Sequence, residues 1–231
     1  MAAETILILG ESGRGKTTSL RNLNPENTFI ISTTSKPLPW KGWKKKFVKF
    51  DVKTNPDGNW VQCSKSNTII TLIKYISVRR PDIKNIVIDD VQYSMCFEFM
   101  DRRKEKGYEK FNDIGGDFTD LLRVADDIRD DLKLIFTAHS ENKGTDLEPY
   151  WTLKTIGKMV SEKVTPEGLF TYVFHALVEE GDDGMEYKFL TNTDGIHVAK
   201  TPLGMFADQK IDNDVNEILK VIDEYENGEE E

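Results

Sequence analysis

The chain has 231 residues, 38% of them apolar and 31% charged, with a formal net charge of −9. That length supports one well-buried core rather than two, and the acidic balance excludes a coat over nucleic acid while leaving room for one basic groove. No apolar run nears the roughly 20 residues of a membrane helix, the start "MAAETILILGESG" is not leader-like, and Cys63 and Cys96 lack metal-ligand spacing, so the expected setting is a reducing cytoplasm with no membrane partner.

In chain order, 4–9 reads as a buried strand, apolar on both faces. A Gly-rich turn follows, then a short helix over 15–23. Residues 28–32 form a second strand, an irregular basic stretch runs to 46, and "KFVKFDV" is read as another strand. The apolar spacing of 66–80 predicts a helix, capped by Ser66 or Asn67 and stopped by Pro81. Strand 84–92, a helix to 106, a helix over 117–131 and strand 132–139 complete an alternating α/β pattern, which implies a mostly parallel sheet between helices. After Pro149, "GLFTYVFHALVEE", "MEYKFLTNT" and "GIHVAKT" read as strands joined by Gly/Asp turns, with antiparallel pairing. A last helix spans 212–225 and the acidic tail 226–231 is expected to be mobile.

Gly10–Thr17, "GESGRGKT", fits G-x-x-x-x-G-K-[ST] between a strand and a helix. Glycines let successive backbone N–H groups of Gly10, Glu11, Ser12, Gly13, Arg14 and Gly15 turn inward onto phosphate oxygens. The helix dipole adds to that field at Thr17 and Thr18. Lys16 reaches the β- and γ-phosphates of ATP, and the Thr17 hydroxyl binds Mg²⁺. The second metal group is Asp89, at the C-terminal edge of a buried strand where such sheets bind ligands. Asp90 has two readings: the group that orients or deprotonates the attacking water, or the N-cap of the helix beginning near Val91. His139 closes the strand expected beside the P-loop strand, where a polar group senses the γ-phosphate; His175 and His197 are read as structural.

Residues 36–50, "KPLPWKGWKKKFVKF", carry six lysines and no acid. Lys41, Lys44, Lys45 and Lys46, with Trp43 offering a stacking face, make a candidate single-stranded DNA site. The other reading is a solvated basic loop whose tryptophans tuck into the core. The stretch 101–118, broken by Gly115 and Gly116, is a second candidate, a loop ordered by DNA.

Taken in order, "GESGRGKTTSL", "IVIDD", "LIFTAHSE", "VTPEGLFTYVFHALV", "YKFLTNTDG" and "AKTPLGMF" resemble phage-encoded AAA-family ATP-binding proteins with a RecA-like core, a group that includes single-strand annealing recombinases. The resemblance spans about 4–226. It implies one RecA-like P-loop NTPase domain over 1–231: a core over about 4–140, a C-terminal antiparallel β extension over 165–205, a terminal helix over 211–226 and the acidic tail. It further implies a DNA-stimulated ATPase using ATP and Mg²⁺, working as a homo-oligomeric ring or filament on single-stranded DNA, with a phage single-strand-binding protein or helicase as partner. In such assemblies a late lysine reaches the neighbouring subunit's nucleotide, which gives Lys200 a catalytic role; an ordinary surface lysine is the other reading. One departure is plain. RecA-type ATPases carry a catalytic Glu at the end of the strand after the P-loop helix, whereas "TFIIS" runs into "TTSKPLPW" with no acid, leaving Asp90 or, less directly, Glu11 for that task. Weak hydrolysis in a nucleotide-gated adaptor or helicase loader is the alternative, and a small-molecule kinase is disfavoured because "SENKGTDLEPYWT" has no arginine.

Overall fold

The computed structural model describes residues 2–156, 160–182 and 184–228. The sheet is built on β1 (Glu4–Gly10), β2 (Thr28–Ser32), β3 (Trp60–Gln62), β4 (Asn85–Asp89), β5 (Lys133–Asn142), β7 (Tyr172–Gly181), β8 (Gly184–Leu190) and β9 (Lys210–Asp212), in the order β3-β2-β4-β5-β1-β7-β8-β9. From β3 to β7 every neighbouring pair is parallel; β7–β8 and β8–β9 are antiparallel. A short β6 (Trp151–Leu153) pairs antiparallel with the far end of β5.

The strands read as continuous apolar runs because both faces are covered. With a side-chain period of two, Leu7 and Leu9 of β1 face one way and Ile6 and Ile8 the other. The first face meets Ile69, Ile73 and Ile76 of α2 (Ser66–Arg79) and Ile114, Phe118 and Leu121 of α4 (Glu109–Leu122). The second meets Leu20, Leu23 and Phe47, and Ile218, Leu219 and Ile222 of α5 (Val215–Asn227). Helix α5 has a defined start and stop: the Asp214 side chain accepts from Asn216 N at 2.9 Å, and Gly228 closes the other end at φ +67°.

Several expectations change. The helix over 15–23 is only a 3-10 turn, Thr18–Asn22: Ser19 N bonds Gly15 O, Leu20 N bonds Thr17 O, and Pro25 follows. Its dipole is correspondingly small, so phosphate binding rests on loop amides and Lys16. Helix α2 begins after Lys65, with no side-chain cap from Ser66 or Asn67. Residues 47–52 are not a strand. Their buried positions are Phe47 and Phe50, three apart rather than two, and Asp51 Oδ1 turns the chain by accepting from Lys53 N and Thr54 N. Before them stands a single helical turn, α1 (Trp43–Lys46), and the strand the sequence hides is β3. Helix α3 (Tyr93–Asp101) is shorter than expected, and Gly115 and Gly116 lie inside α4, so half of the supposed 101–118 loop is helix. "GIHVAKT" touches the sheet only at two isolated bridges, Trp151↔His197 and Val173↔Lys200. Strand β7, expected in a β-rich addition, lies parallel beside β1. Of the acidic tail, 229–231 lie outside the described residues.

Candidate nucleotide site

The loop after β1 is shaped by glycines where no other residue fits. A methyl group on Gly10 would stand 3.0 Å from Ala176 O of β7, and Gly13 and Gly15 hold φ +82° and +87°. Lys16 is 5% exposed; its Nζ donates to Gly10 O at 2.7 Å and Glu11 O at 2.8 Å, spanning the loop. Burial lowers its pKa to about 8 against the opposing pull of Asp90 and Asp89. Such an ammonium has paid part of its desolvation and is held where it can be handed to phosphate oxygens. Glu11 instead pairs with Arg14 at 2.8 Å, and both side chains flank the outer side of the loop. Glu11 is therefore not turned toward the acids at the end of β4.

Those acids sit two strands from β1, with β5 between. Asp89 Oδ1 accepts from the Thr17 hydroxyl at 2.9 Å and from the Thr137 hydroxyl at 2.7 Å. Burial, with the adjacent Asp90 charge, raises the Asp89 pKa to about 6. A hydroxyl and a carboxylate meeting in this way are hard oxygen donors of the kind Mg²⁺ takes, completed by phosphates and water rather than by a protein cage. In keeping with that, no group of three or more His, Cys, Asp or Glu side chains among the described residues forms a cage of its own.

Asp90 is at φ +60°, a left-handed conformation that costs a non-glycine residue on the order of 1 kcal/mol. The surroundings impose it. Thr33 Oγ1 donates to Asp89 O and Asp90 O, Thr137 Oγ1 accepts from Asp90 N, and Val91 N bonds Thr137 O. Its carboxylate does not cap a helix: α3 starts at Tyr93, and Asp90 Oδ1 lies 3.3 Å from His139 Nε2. Burial pushes the Asp90 pKa up, but the His139 hydrogen bond and the nearby cations Lys16 and Lys36 outweigh it and keep the group below its ordinary value. Two adjacent carboxylates thus carry different proton affinities, the arrangement acid–base chemistry uses.

His139 is opposite Gly10 in the β1–β5 register. Its backbone N–H donates to Gln92 Oε1 at 3.2 Å, and Tyr93 meets its ring edge-on. Lys16, Thr17, Thr18, Asp89, Asp90 and His139 share one cleft of about 660 Å³ with Ser12, Gly13 and Gly15. Lys36, Arg21, Tyr187 and Asn213 also line it and were missed by sequence reasoning, as were Thr33 and Thr137 behind it. Lys36 had a readable signal, being part of the basic stretch. Tyr187 and Asn213 had none, since only the fold brings them to Gly15.

Lys200 is outside the cleft, exposed and bridged to Val173. Lys41, Lys44, Lys45 and Lys46 are exposed on or beside α1. Trp43 is half-buried, its ring 5.6 Å from that of Trp60 and with Lys44 Nζ at 5.7 Å, while Trp40 packs on Phe47. The tryptophans thus lean on the core, and the lysines form the free face. Among the described residues no helix is long and apolar enough to cross a membrane.

No curated protein matches the chain significantly. A family model described as an AAA domain matches residues 2–203. With that match over most of its length, and a P-loop whose hydroxyl meets the β4 acid, the chain belongs to the AAA domain family of P-loop ATPases.

Proposed function

We propose that the chain binds and hydrolyses Mg·ATP and couples it to single-stranded DNA as an oligomeric, phage-type recombination or annealing protein. The observation that carries the nucleotide half is the contact of Thr17 Oγ1 with Asp89 Oδ1 at 2.9 Å, joining the P-loop to an acid two strands away. Thr17 and Asp89 would hold Mg²⁺, Lys16 the β- and γ-phosphates, and Mg²⁺ would draw charge from the phosphate oxygens. Asp90, ionised and hydrogen-bonded to His139, accepts the proton of the attacking water; His139 orients that carboxylate and reports on the third phosphate. The lysines of 41–46 support the DNA half, by backbone neutralisation more than by stacking. Lys200 acts on a neighbouring subunit's nucleotide, and a single-strand-binding protein or helicase is the expected partner.

A second reading, a nucleotide-gated adaptor or helicase loader with weak turnover, is favoured by the run Ser32–Lys36, which ends β2 without an acid. ATP turnover with and without single-stranded DNA, at two salt concentrations, tests both. Stimulation that fades with salt supports the first; tight Mg·ATP binding without turnover supports the second; no nucleotide binding overturns both.

A further inference from the structure

The cleft is longer than a triphosphate chain needs, and the strand order fixes which end is which. Asp89 and His139, on β4 and β5, lie to one side of the P-loop strand; β7, β8 and β9 lie to the other. With the metal acids marking the terminal-phosphate end, the sugar and base leave toward β8 and β9. There the β7–β8 hairpin runs past the last β1 partner, His175, and stands as a wall beside the loop.

Three groups converge on that wall. A methyl group at Gly15 would stand 2.8 Å from Tyr187 Cδ1 and 3.1 and 3.3 Å from Oδ1 and Nδ2 of Asn213. Tyr187 is half-exposed, a ring with a free face. Asn213 is 5% exposed, lines the cleft, and its Nδ2 is shielded from solvent with no hydrogen-bond partner among the described residues. The backbone around it is pinned: Asn213 N donates to Tyr187 O, and Arg21 Nη1 donates to Asn213 O at 2.9 Å. The next residue, Asp214, caps α5. A buried amide donor held in place without an acceptor, beside an aromatic face, is the chemistry of a base pocket.

We propose that Tyr187 and Asn213 form the base end of the nucleotide cleft, Tyr187 by stacking and Asn213 by choosing adenine over guanine. A carboxamide offers a donor and an acceptor side by side, matching N7 and the N6 amino group of adenine. Guanine presents two acceptors, N7 and O6, and leaves one half of the amide unpaired. The inference rests on the nucleotide reading above, and a ligand without a base separates the two.

Mg·ATP, Mg·GTP and Mg·tripolyphosphate are titrated into the full chain and into Y187A, Y187F and N213A. Asn213 makes no side-chain hydrogen bond that N213A would break, so the variant keeps its fold, which circular dichroism checks. The full chain is expected to prefer ATP over GTP by roughly tenfold, the discrimination of one good bidentate pair. N213A brings the two within about threefold; Y187A weakens both by roughly tenfold, the scale of one lost base stack. Y187F restores them, and tripolyphosphate binds all four proteins alike. Equal ATP and GTP affinity in the full chain, or unchanged ATP affinity in Y187A, overturns the base pocket while tripolyphosphate binding leaves the phosphate site standing. Failure of all three ligands on the full chain overturns the phosphate site and the base pocket with it.

Discussion

Asp89 is ionisable, buried and held by two hydroxyls, and those facts set stability against function. An acid whose folded pKa is raised costs stability wherever it is ionised in the fold; below its ordinary value both states are protonated and the cost vanishes. For Asp89 the cost therefore grows from pH 3.8 to about 6 and is full above. D89N keeps an oxygen for Thr17 and Thr137 and removes the charge. It is expected to melt at a higher temperature than the parent at pH 7.5, with the difference fading toward pH 4, while Mg-dependent turnover is abolished. Melting curves across that range check the sign, and a lower melting temperature at pH 7.5 contradicts it. Asp90 separates differently. Its carboxylate faces His139 rather than a phosphate, so D90N should retain Mg·ATP affinity and lose roughly 10²-fold or more in turnover, the usual size of a general-base effect. Parent-like single-turnover rates in D90N would place the base elsewhere.

At the scale of elements, the chemistry sits where strand ends meet. Thr137, inside β5, donates to Asp89 Oδ1 and accepts from Asp90 N, so one hydroxyl fixes both acids. T137V keeps the shape and leaves Asp90 N–H unpaired in the interior, an expected loss of about 1–3 kcal/mol. Turnover falls with it, because the left-handed turn at Asp90 loses a clamp. Urea unfolding and steady-state rates on one preparation test both effects; a variant as stable and active as the parent refutes the clamp. This is also where the sequence stops being legible. The loop 10–17, the two acids and the ends of β1, β2 and β4 could be read because their signals are local: a glycine spacing, an apolar run, an acid at its end. Thr33 and Thr137 could not, since a threonine in a strand reads as β-propensity and its partner depends on which strand lies alongside. The short strands β3 and β9 carry too few residues for a period, and the turn Thr18–Asn22 looked helical because its apolar positions, Leu20 and Leu23, are spaced as a helix would space them. Tyr187 and Asn213 reach Gly15 only through the β7–β8–β9 pairing.

Across the whole molecule the charge is uneven: a net −9 chain carries six lysines and no acid over residues 36–50. Lys41, Lys44, Lys45 and Lys46 are exposed and Trp40 and Trp43 lean inward. Any single-stranded DNA held there is therefore held through phosphates, and the affinity must be salt-dependent and indifferent to base sequence. Each neutralised phosphate contributes about −0.7 to the slope of log K against log salt for a single strand. If all four lysines meet phosphates, their joint replacement by alanine reduces the magnitude of that slope by about 3. None of the four forms an ion pair seen among the described residues, so the replacement removes no structural contact, and the folded fraction stays that of the parent. Had the tryptophans been the anchors, affinity would fall equally at every salt concentration and the slope would stay put. Fluorescence titrations of an oligothymidine at several salt concentrations tell the two apart: a parallel shift assigns the strand to aromatic faces, an unchanged line removes residues 41–46 from the DNA path, and a flattened line leaves the lysines as the surface through which the ATPase holds its polymer.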